Sequence, residues 1–318
     1  MRCPPIQEAT YQWLKCRIGR CHLEQRLGIE RDYEARVFGH GLNFFHIENW
    51  YSVHHLIRNS LRLMLFHGRG RRNARQISLR ENAVTLAGLP AAFDGYRILH
   101  ISDLHLDMAR DIPAALIDAV APLEYHACVL TGDFRASTFG PYDAALAALE
   151  QVKAHLKGPV FGVLGNHDTI QMVPCMEQLG IQMLLNESVA LEHRDATVFL
   201  AGIDDPHYYR ADNLEKAADA IPEGAISVLL AHSPEIYRHA AHADFDVMLC
   251  GHTHAGQICL PGGLPLMCNA RCPRAFCHGN WAYHGMSGYT SAGSGSCMLD
   301  VRLNCPPEIT LHQLQCVS

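Results

Sequence analysis

Five short motifs along the chain combine carboxylate, amide and imidazole side chains, the groups with which proteins bind metal ions and transfer protons. In chain order they read Ser-Asp-Leu-His, Thr-Gly-Asp, Gly-Asn-His-Asp, Ala-His-Ser and Gly-His-Thr-His. The donor residues that they supply are Asp103, His105, Asp133, Asn166, His232, His252 and His254. Because these donors are oxygen and imidazole groups with no thiolate, they favour Mn, Fe or Zn over Ca or a cysteine-rich structural zinc site.

The number and spacing of the donors predict two metal ions. In extended backbone, residues i and i+2 point the same way, so Asp103 with His105, and His252 with His254, each form a clamp. Seven ligands are too many for one metal with an open coordination position. They fit two metals about 3.5–4 Å apart that share a carboxylate.

The elements that must position these motifs are short apolar runs. Each motif directly follows such a run, and the runs end near residues 101, 130, 164, 230 and 249. Runs of this length, rich in Val, Ile and Leu, predict buried strands, and residues 142–156 and 213–220 predict helices between some of them. Ligand sites in open α/β sheets form beyond the carboxyl ends of strands. A turn or a cap explains one such motif, but it explains poorly five in the same kind of place.

In this order, and with spacings of 30, 33, 66 and 20 residues, the motifs resemble the calcineurin-like metallophosphoesterases over about residues 76–318. The resemblance implies an α/β fold, a four-layer α/β/β/α sandwich of two mixed sheets. An N-terminal, Arg-rich helical extension over residues 1–75 is predicted to precede this domain. The resemblance further implies that one metal is held by Asp103, His105 and His254, that the second is held by Asn166, His232 and His252, and that Asp133 bridges both.

The same resemblance implies two catalytic residues that are not metal ligands. His167 would face the substrate and stabilise or protonate the leaving oxygen, and Asp168 would orient its ring. An imidazole whose pKa lies near 6.5 is able to supply that proton at neutral pH. The expected activity is therefore that of a metal-dependent phosphoric ester hydrolase, which cleaves a phosphodiester, pyrophosphate or phosphomonoester with a metal-bridging hydroxide. Its cofactors would be two divalent ions, for which Mn, Fe and Zn all remain open.

Two further segments narrow the range of candidate substrates. Residues 251–258 and 301–309 resemble a bacterial membrane-associated branch of the family, which includes UDP-2,3-diacylglucosamine hydrolases, although Ala255 stands where Gly is common. The predicted partner is a small-molecule or lipid-linked phosphoester, for which UDP-2,3-diacylglucosamine is one candidate. The alternatives are a cyclic-nucleotide or other small-molecule phosphodiesterase and, in another class, a non-catalytic binding protein on the same fold. The complete ligand set argues against the last.

Three arginines are candidate phosphate contacts. Phe134-Arg135 follows the bridging Asp where protein serine/threonine phosphatases have Asp-Arg-Gly, which argues against a phosphoprotein substrate. Arg135 has two open interpretations, a substrate phosphate contact or a structural ion pair. Arg271 and Arg274 are either phosphate contacts or ordinary surface arginines. The cysteines around them lack close Cys-x-x-Cys pairs, so residues 268–281 favour a substrate-wall loop over a zinc site.

The end of the N-terminal extension has a helical apolar pattern with many arginines. The apolar face consists of Phe44, Ile47, Trp50, His54, Ile57, Leu61 and Met64 or Leu65. Seven arginines and no acidic residue lie between Tyr51 and Arg80, and residues 67–72 predict a helix end followed by a basic linker. Over residues 44–75 this pattern is compatible with an anionic membrane surface. Packing on the protein's own core, a cap over the active site and a dimer contact are the other interpretations.

Global composition sets limits on function. The 318 residues carry a net charge of −6 and 48% hydrophobic residues, so a globular core is expected and nucleic acid is an improbable partner. The 13 cysteines cannot all pair, and neither a signal-peptide pattern nor an apolar run of about 20 residues is evident. These features predict a cytoplasmic protein with free thiols, with peripheral attachment to the inner face of the membrane as the alternative.

Overall fold

The computed structural model describes residues 6–39, 51–265 and 267–317. The strands are β1 (Ser78–Leu86), β2 (Arg97–Ile101), β3 (Ala127–Thr131), β4 (Val160–Val163), β5 (Ile181–Met183), β6 (Glu187–His193), β7 (Ala196–Gly202), β8 (Ser227–Leu230), β9 (Val247–Cys250), β10 (Cys259–Leu260), β11 (Leu264–Pro265), β12 (Gly279–Tyr283), β13 (Met286–Thr290) and β14 (Glu308–Cys316). The α-helices are α1 (Glu8–Ile18), α2 (Arg20–Gly39), α3 (Tyr51–Leu63), α4 (Phe66–Asn73), α5 (Ile112–Val120), α6 (Asp143–Lys153), α7 (Val173–Gln178), α8 (Leu214–Ala218) and α9 (Tyr237–His242).

Two six-stranded mixed sheets form the centre of the molecule. The first has the order β1-β14-β2-β3-β4-β5, in which β2 to β5 are parallel and β14 runs antiparallel to β2. The second has the order β12-β13-β9-β8-β7-β6, with parallel pairing from β13 to β7 and antiparallel edges. The five strands predicted before the motifs are β2, β3, β4, β8 and β9, so those predictions are confirmed.

The two sheets pack face to face, and helices cover their outer faces. On β3, Val129 faces the core between the sheets with Val163, Leu200 and Leu249. Its neighbour Leu130 instead joins the outer core beneath α5, α6 and α7. Both faces of the strand are therefore buried, which explains the continuous apolar runs of the sequence. The helices α8 and α9 cover the other outer face, so the predicted four-layer α/β/β/α sandwich is confirmed.

The N-terminal helices α1 and α2 pack on the outer core of the first sheet. Leu14, Ile18, Leu23 and Leu27 are buried there together with the residues beneath α5 to α7. This first part of the extension is therefore packed on the core of the domain. The domain boundary at residue 75 stays a prediction.

The Arg-rich end of the extension differs from the expected helix and linker. Of its predicted apolar face, Phe44, Ile47 and Trp50 lie outside the described residues. Within the described chain, α3 ends at Leu63 and Leu65 has a φ of 62°. The prediction of a linker at residues 67–72 is wrong, because these residues lie within α4.

The helix α4 is anchored by tertiary contacts, which a local sequence pattern cannot reveal. Gly70 packs against Val301, and Gly70 O accepts a hydrogen bond from Arg302 N–H at 2.9 Å. Just after the helix, Arg75 forms ion pairs with Asp300 and Asp111. In the described ranges, no helix has both the length and the apolarity to cross a bilayer.

Candidate metal centre

The seven predicted donors converge where strands of both sheets end. Asp103, Asp133 and Asn166 follow β2, β3 and β4 of the first sheet, and His232 and His252 follow β8 and β9 of the second. All seven donors are buried. The site thus lies at the carboxyl ends of parallel strands, as expected for an α/β protein, and draws on both sheets.

The backbone of the donors is unusual. Asp103, His105, Asp133, His252 and His254 have φ values of 50°, 41°, 57°, 70° and 49°. Non-glycine residues seldom adopt positive φ, and such conformations persist where the surrounding structure holds them. Five positive φ values in one site indicate that the surrounding structure holds these donors in strained conformations that direct their side chains towards the centre.

A glycine allows the two sheets to meet at the site. At Gly251, which precedes His252, an added Cβ would overlap Ser102 Oγ and the carboxylate of Asp103. This close approach brings the end of β9 against the end of β2. The glycine of the Gly-His-Thr-His motif is therefore required by sterics.

One half of the site surrounds His105 and His254. Their Nε2 atoms are 3.2 Å apart. His254 Nε2 lies 3.4 Å from Asp103 Oδ1, and His105 Nε2 lies 3.7 Å from Asp133 Oδ2. Ring nitrogens and carboxylate oxygens converge here at the separations that a shared cation requires.

The other half surrounds His232. Its Nε2 lies 2.9 Å from Asn166 Oδ1, 3.2 Å from His252 Nδ1 and 3.3 Å from Asp133 Oδ2. The same oxygen of Asp133 is therefore close to a histidine of each half. This is the position that a carboxylate shared by two ions would occupy.

Main-chain carbonyls fix the tautomers of three histidines. His105 Nδ1 donates to Arg135 O at 2.8 Å and His232 Nδ1 donates to Thr131 O at 2.8 Å. His252 Nε2 donates to Asn269 O at 2.7 Å. A carbonyl oxygen can only accept a hydrogen bond, so the ring nitrogen that contacts it must carry the proton. In each neutral ring, the other nitrogen therefore directs a lone pair into the site. His232 Nε2 and His252 Nδ1 thus face each other as two acceptors, an arrangement that fits a cation between them.

The pKa shifts of the donors agree with a metal-binding site. Burial lowers the pKa of His105 to about 4, which keeps the ring neutral and able to bind a metal. Burial would raise the pKa of Asp133, but the neighbouring His232 and His167 outweigh it and hold this pKa well below its usual range. Burial likewise disfavours a charged His232, yet Asp133 raises its pKa to about 10. The carboxylate of Asp133 thus favours positive charge beside it, and a bound divalent metal would satisfy that preference.

His167 lies inside this constellation. Its backbone N–H donates to Asp133 Oδ1 at 2.9 Å, and its Nε2 is 3.9 Å from Asp133 Oδ2. Its Nδ1 lies 3.5 Å from Thr138 Oγ1. The ring meets His105 edge-on, with centroids 5.0 Å apart. An imidazole so placed is able to exchange a proton with a group bound at the metals.

Asp168 contacts backbone groups. Its carboxylate accepts hydrogen bonds from the N–H groups of Asp133 at 2.8 Å, Phe134 at 2.9 Å and Gly165 at 2.8 Å. These bonds join the loop after β3 to the loop after β4. The geometry thus favours Asp168 as a positioning residue for both loops over a role in orienting the His167 ring.

The three predicted arginines lie in different surroundings. Arg135 is buried and its guanidinium donates to the carbonyls of His167, Thr138 and Gly140. Of its two open interpretations, the structural one is favoured, although the partners are carbonyls and not an acidic side chain. Arg271 and Arg274 are exposed on the segment that contains Asn269, the partner of His252. Through the Asn269 contact, this segment forms part of the rim of the site.

Two buried arginines that the sequence did not single out support the centre. Arg26 of α2 bonds to Asp168 O at 3.1 Å and to Asp204 Oδ1 at 3.2 Å. Arg302 donates to His254 O at 3.0 Å, and another of its nitrogens lies 3.1 Å from His254 Nδ1. Arg302 lies in the segment 301–309 that carries part of the family resemblance, but a surface arginine and a buried one have the same sequence signature, so neither role was predicted.

A cavity of about 590 Å³ is lined in part by Arg135 and Thr138, two residues whose side chains contact His167. Its walls include Leu27, Glu30 and Glu34 of α2, together with Thr138 and Phe139. Glu30 also accepts hydrogen bonds from the Thr169 hydroxyl and from Ile170 N–H, directly after the Gly-Asn-His-Asp motif. The helix α2 therefore packs beside the loop that carries His167.

The chain belongs to the calcineurin-like phosphoesterases. The family model matches residues 96–256, a range that contains all seven donors. The uncharacterized metallophosphoesterase YkoQ of Bacillus subtilis is 30% identical over 240 residues, which cover 71% of this chain and 86% of YkoQ. Together, family and relatives make the chain a metal-dependent phosphoric ester hydrolase.

Other relatives are more distant or longer. The phosphodiesterase YaeI of Escherichia coli is 27% identical over 237 residues, 69% of this chain and 82% of YaeI. A transmembrane protein with metallophosphoesterase domain from Bos taurus is 34% identical over 191 residues, which span 54% of this chain and 43% of that protein. A solved structure, phosphopantetheinyl hydrolase from Mycobacterium tuberculosis, has a TM-score of 0.40 and 11% identity, and covers 64% of this chain and 91% of its own.

Proposed function

We propose that the chain hydrolyses a phosphoester at a dinuclear centre in which Asp133 bridges two divalent metals. One metal would be bound by Asp103, His105 and His254, and the other by Asn166, His232 and His252. The observation that carries this proposal is the position of Asp133 Oδ2, 3.7 Å from His105 Nε2 and 3.3 Å from His232 Nε2. The donor set suits Mn, Fe or Zn.

The residues of the chain have distinct parts in this proposal. Bound divalent metals supply an activated water and neutralise charge on the phosphoryl oxygens. His167 donates a proton to the leaving oxygen, for which its place beside Asp133 is suited. Asp168 and Arg135 hold the loops that carry His167 and Asp133.

Hydrolysis of bis-p-nitrophenyl phosphate and p-nitrophenyl phosphate tests the proposal. Metal-stripped protein should regain turnover when Mn²⁺ is added, and the preferred ester separates a diesterase from a monoesterase. Asp133→Asn should lose turnover together with metal binding. His167→Ala should keep both metals and lose about 100- to 10,000-fold in rate, the usual contribution of a general acid.

A matched control is His278→Ala, which removes a loop imidazole whose partner is Glu308 and which lies outside the donor set. It should retain both metal binding and turnover. Wild-type protein that binds no metal, or an Asp133→Asn variant as active as wild type, would refute the dinuclear proposal.

The substrate class is the finer part of the proposal. A relative named as a phosphodiesterase supports a diester bond, and the cavity lined by Arg135 and Thr138 offers space for an organic substituent. A panel of UDP-2,3-diacylglucosamine, a cyclic nucleotide and the two p-nitrophenyl esters would discriminate among the candidates. Arg271 is the proposed phosphate contact at the rim, so Arg271→Ala should raise KM more than Arg274→Ala, whose guanidinium binds Pro265 O.

We also propose that the junction of α3 and α4 binds an anionic lipid surface. Four consecutive apolar residues are exposed there, with Leu63 86% and Leu65 87% accessible beside Met64 and Phe66. Exposed arginines at positions 62, 69 and 72 flank them. An apolar patch ringed by cations is complementary to anionic headgroups over acyl chains.

Vesicle co-sedimentation tests the lipid proposal. Wild-type protein should bind phosphatidylglycerol vesicles in a salt-dependent way, and a variant with both Leu63→Ser and Leu65→Ser should bind at least about tenfold more weakly. Val317→Ser, another exposed apolar residue at the opposite end of the chain, is the control. Equal binding by the double variant and the control would remove the lipid surface from the proposal.

A further inference from the structure

A cysteine thiol lies beside the histidines of the candidate metal centre. Cys297 follows β13 on the segment that leads to β14, and it is 9% exposed. Its Sγ is 3.7 Å from His167 Nε2. The same Sγ and ring nitrogens of His105 and His254 all lie within 4.8 Å of one another. The thiol thus belongs to the constellation that the motif histidines form.

A glutamine three residues after His254 holds the backbone of Cys297. Gln257 Oε1 accepts a hydrogen bond from Cys297 N–H at 2.7 Å, and Gln257 Nε2 donates to Cys297 O at 2.8 Å. The same Nε2 donates to Leu299 O at 2.9 Å. Because one amide group binds both sides of Cys297, the thiol is held at the centre.

Other buried cysteines nearby direct their thiols to carbonyl groups. Cys305 Sγ donates to His254 O at 3.3 Å, and Cys259 Sγ donates to Ala255 O at 3.3 Å. These are weak hydrogen bonds of ordinary buried thiols. Among the residues that the structure describes, Cys297 is the cysteine that joins a cluster of potential metal ligands.

We propose that Cys297 is a further ligand of the metal held by His105 and His254. Zn²⁺ and Fe²⁺ readily accept thiolate together with imidazole, whereas Mn²⁺ prefers oxygen donors. The thiol proton passes to solvent as the metal binds. This position therefore selects a thiophilic divalent ion, while the position around His232 keeps only nitrogen and oxygen donors. The inference rests on the proposed dinuclear centre.

Cobalt(II) provides an optical readout that is independent of activity. Metal-stripped wild-type protein reloaded with two Co²⁺ should show a thiolate-to-cobalt charge-transfer band in the near ultraviolet, beside the visible ligand-field bands. Cys297→Ser should keep the visible bands and lose the charge-transfer band. Its affinity for Zn²⁺ should fall about 10- to 100-fold, with that for Mn²⁺ little changed.

Cys272→Ser is the matched control, because Cys272 Sγ lies 3.7 Å from Cys277 Sγ on the rim and those thiols are an alternative source of the band. A band that survives Cys297→Ser and disappears in Cys272→Ser overturns the proposal. Two Co²⁺ bound by wild type without any such band do the same. If the proposal of a dinuclear centre is itself wrong, the result is different, because neither wild type nor any variant would then bind two Co²⁺ or show the visible bands.

X-ray absorption on zinc-loaded protein tests the proposal even if Cys297→Ser does not fold. Wild type and Cys272→Ser should both show a sulfur neighbour about 2.3 Å from zinc. A first shell of nitrogen and oxygen alone in wild type overturns the assignment. So does a sulfur shell that Cys272→Ser abolishes.

Discussion

At the scale of single residues, this site is assembled from donors that the main chain holds in place. One ring nitrogen each of His105, His232 and His252 donates to a carbonyl, so the nitrogen that faces the centre is determined before any ion arrives. Positive φ values at five donors add backbone strain to the cost of this arrangement. The site is therefore preorganised, which is the condition for tight and selective metal binding.

Gly251→Ala tests how closely this arrangement depends on sterics. The added methyl group would overlap Ser102 Oγ and the Asp103 carboxylate and displace a proposed ligand. Activity should fall about 100-fold, the cost of a displacement near 1 Å at a reacting centre. Metal content per chain and hydrolysis of the preferred ester measure the effect.

Gly28→Ala in α2 is the control, because a methyl group there meets no atom within 4 Å. It should leave activity unchanged. A Gly251→Ala protein with full metal content and full activity would show that the two sheets can move apart at this contact without displacing the ligands.

At the scale of elements, helices outside the two sheets brace the catalytic loops. The helix α2 reaches the loop after β4 through Arg26 and Glu30. The helix α4 holds Arg302 from both sides, since Gly70 O accepts from its N–H and Asn73 Nδ2 donates to its carbonyl at 3.0 Å. Arg302 in turn contacts His254. The N-terminal extension is thus part of the support of the site.

Arg26→Ala should destabilise the protein by about 3–5 kcal/mol, because it removes the guanidinium partner of two buried carboxylates, Asp204 and Glu30. The guanidinium of Arg26 also lies 3.4 Å from the ring centre of Tyr209, so packing is lost as well. Activity should fall too, since the loop that carries His167 loses its brace. Urea unfolding and steady-state hydrolysis measure both effects.

Arg20→Ala, which removes an exposed arginine of the same helix, is the reference variant and should match wild type. A loss of stability in Arg26→Ala with an unchanged kcat would mean that α2 stabilises the fold without influencing the catalytic loop.

At the scale of the whole molecule, a buried polar network lies in the space between the sheets. Asn82, His312 and His100 are joined across β1, β14 and β2, and His100 continues to the hydroxyl of Thr131 at 2.8 Å. Tyr289 of the second sheet packs on His312 with ring centroids 4.9 Å apart. Burial lowers the pKa of His100 to about 4 and that of His312 well below its usual value.

This network predicts the pH dependence of stability. Both histidines have a lower pKa in the folded state than in the unfolded chain, so below about pH 6.5 the unfolded state binds more protons. The contribution of these two histidines to stability should be fully present above about pH 6.5 and should fall as the pH drops towards 4, by about 3 kcal/mol for His100 alone. The slope of the free energy of unfolding against pH measures how many more protons the unfolded chain binds than the folded protein.

Urea unfolding of metal-stripped protein across this pH range provides the measurement. His312→Gln, which keeps a hydrogen-bonding group without the charge, should show a shallower slope. His155→Gln, an exposed histidine, should keep the wild-type slope. Identical slopes for all three proteins would assign the acid sensitivity to other groups.

Local sequence was sufficient for the strands and donors. Each of β2, β3, β4, β8 and β9 is a short apolar run followed directly by its motif, so strand and donor lie within a few residues of each other. Parallel strands place such motifs at one edge, and this explains why seven distant donors converge as predicted. The edge strands β1, β6 and β12 lack such motifs and were not predicted.

Only the tertiary structure decided how the rest of the chain serves this centre. The approach of Cys297 to His105, the support of Arg302 by α4 and the carbonyl partners of Arg135 all join elements from different parts of the fold. The helix at residues 67–72 likewise depends on its contacts with residues 300–302. Periodicity and spacing report backbone conformation over a few residues, whereas these contacts depend on how whole layers pack. The sequence alone therefore determined the class of chemistry, and packing decided which further side chains reach it.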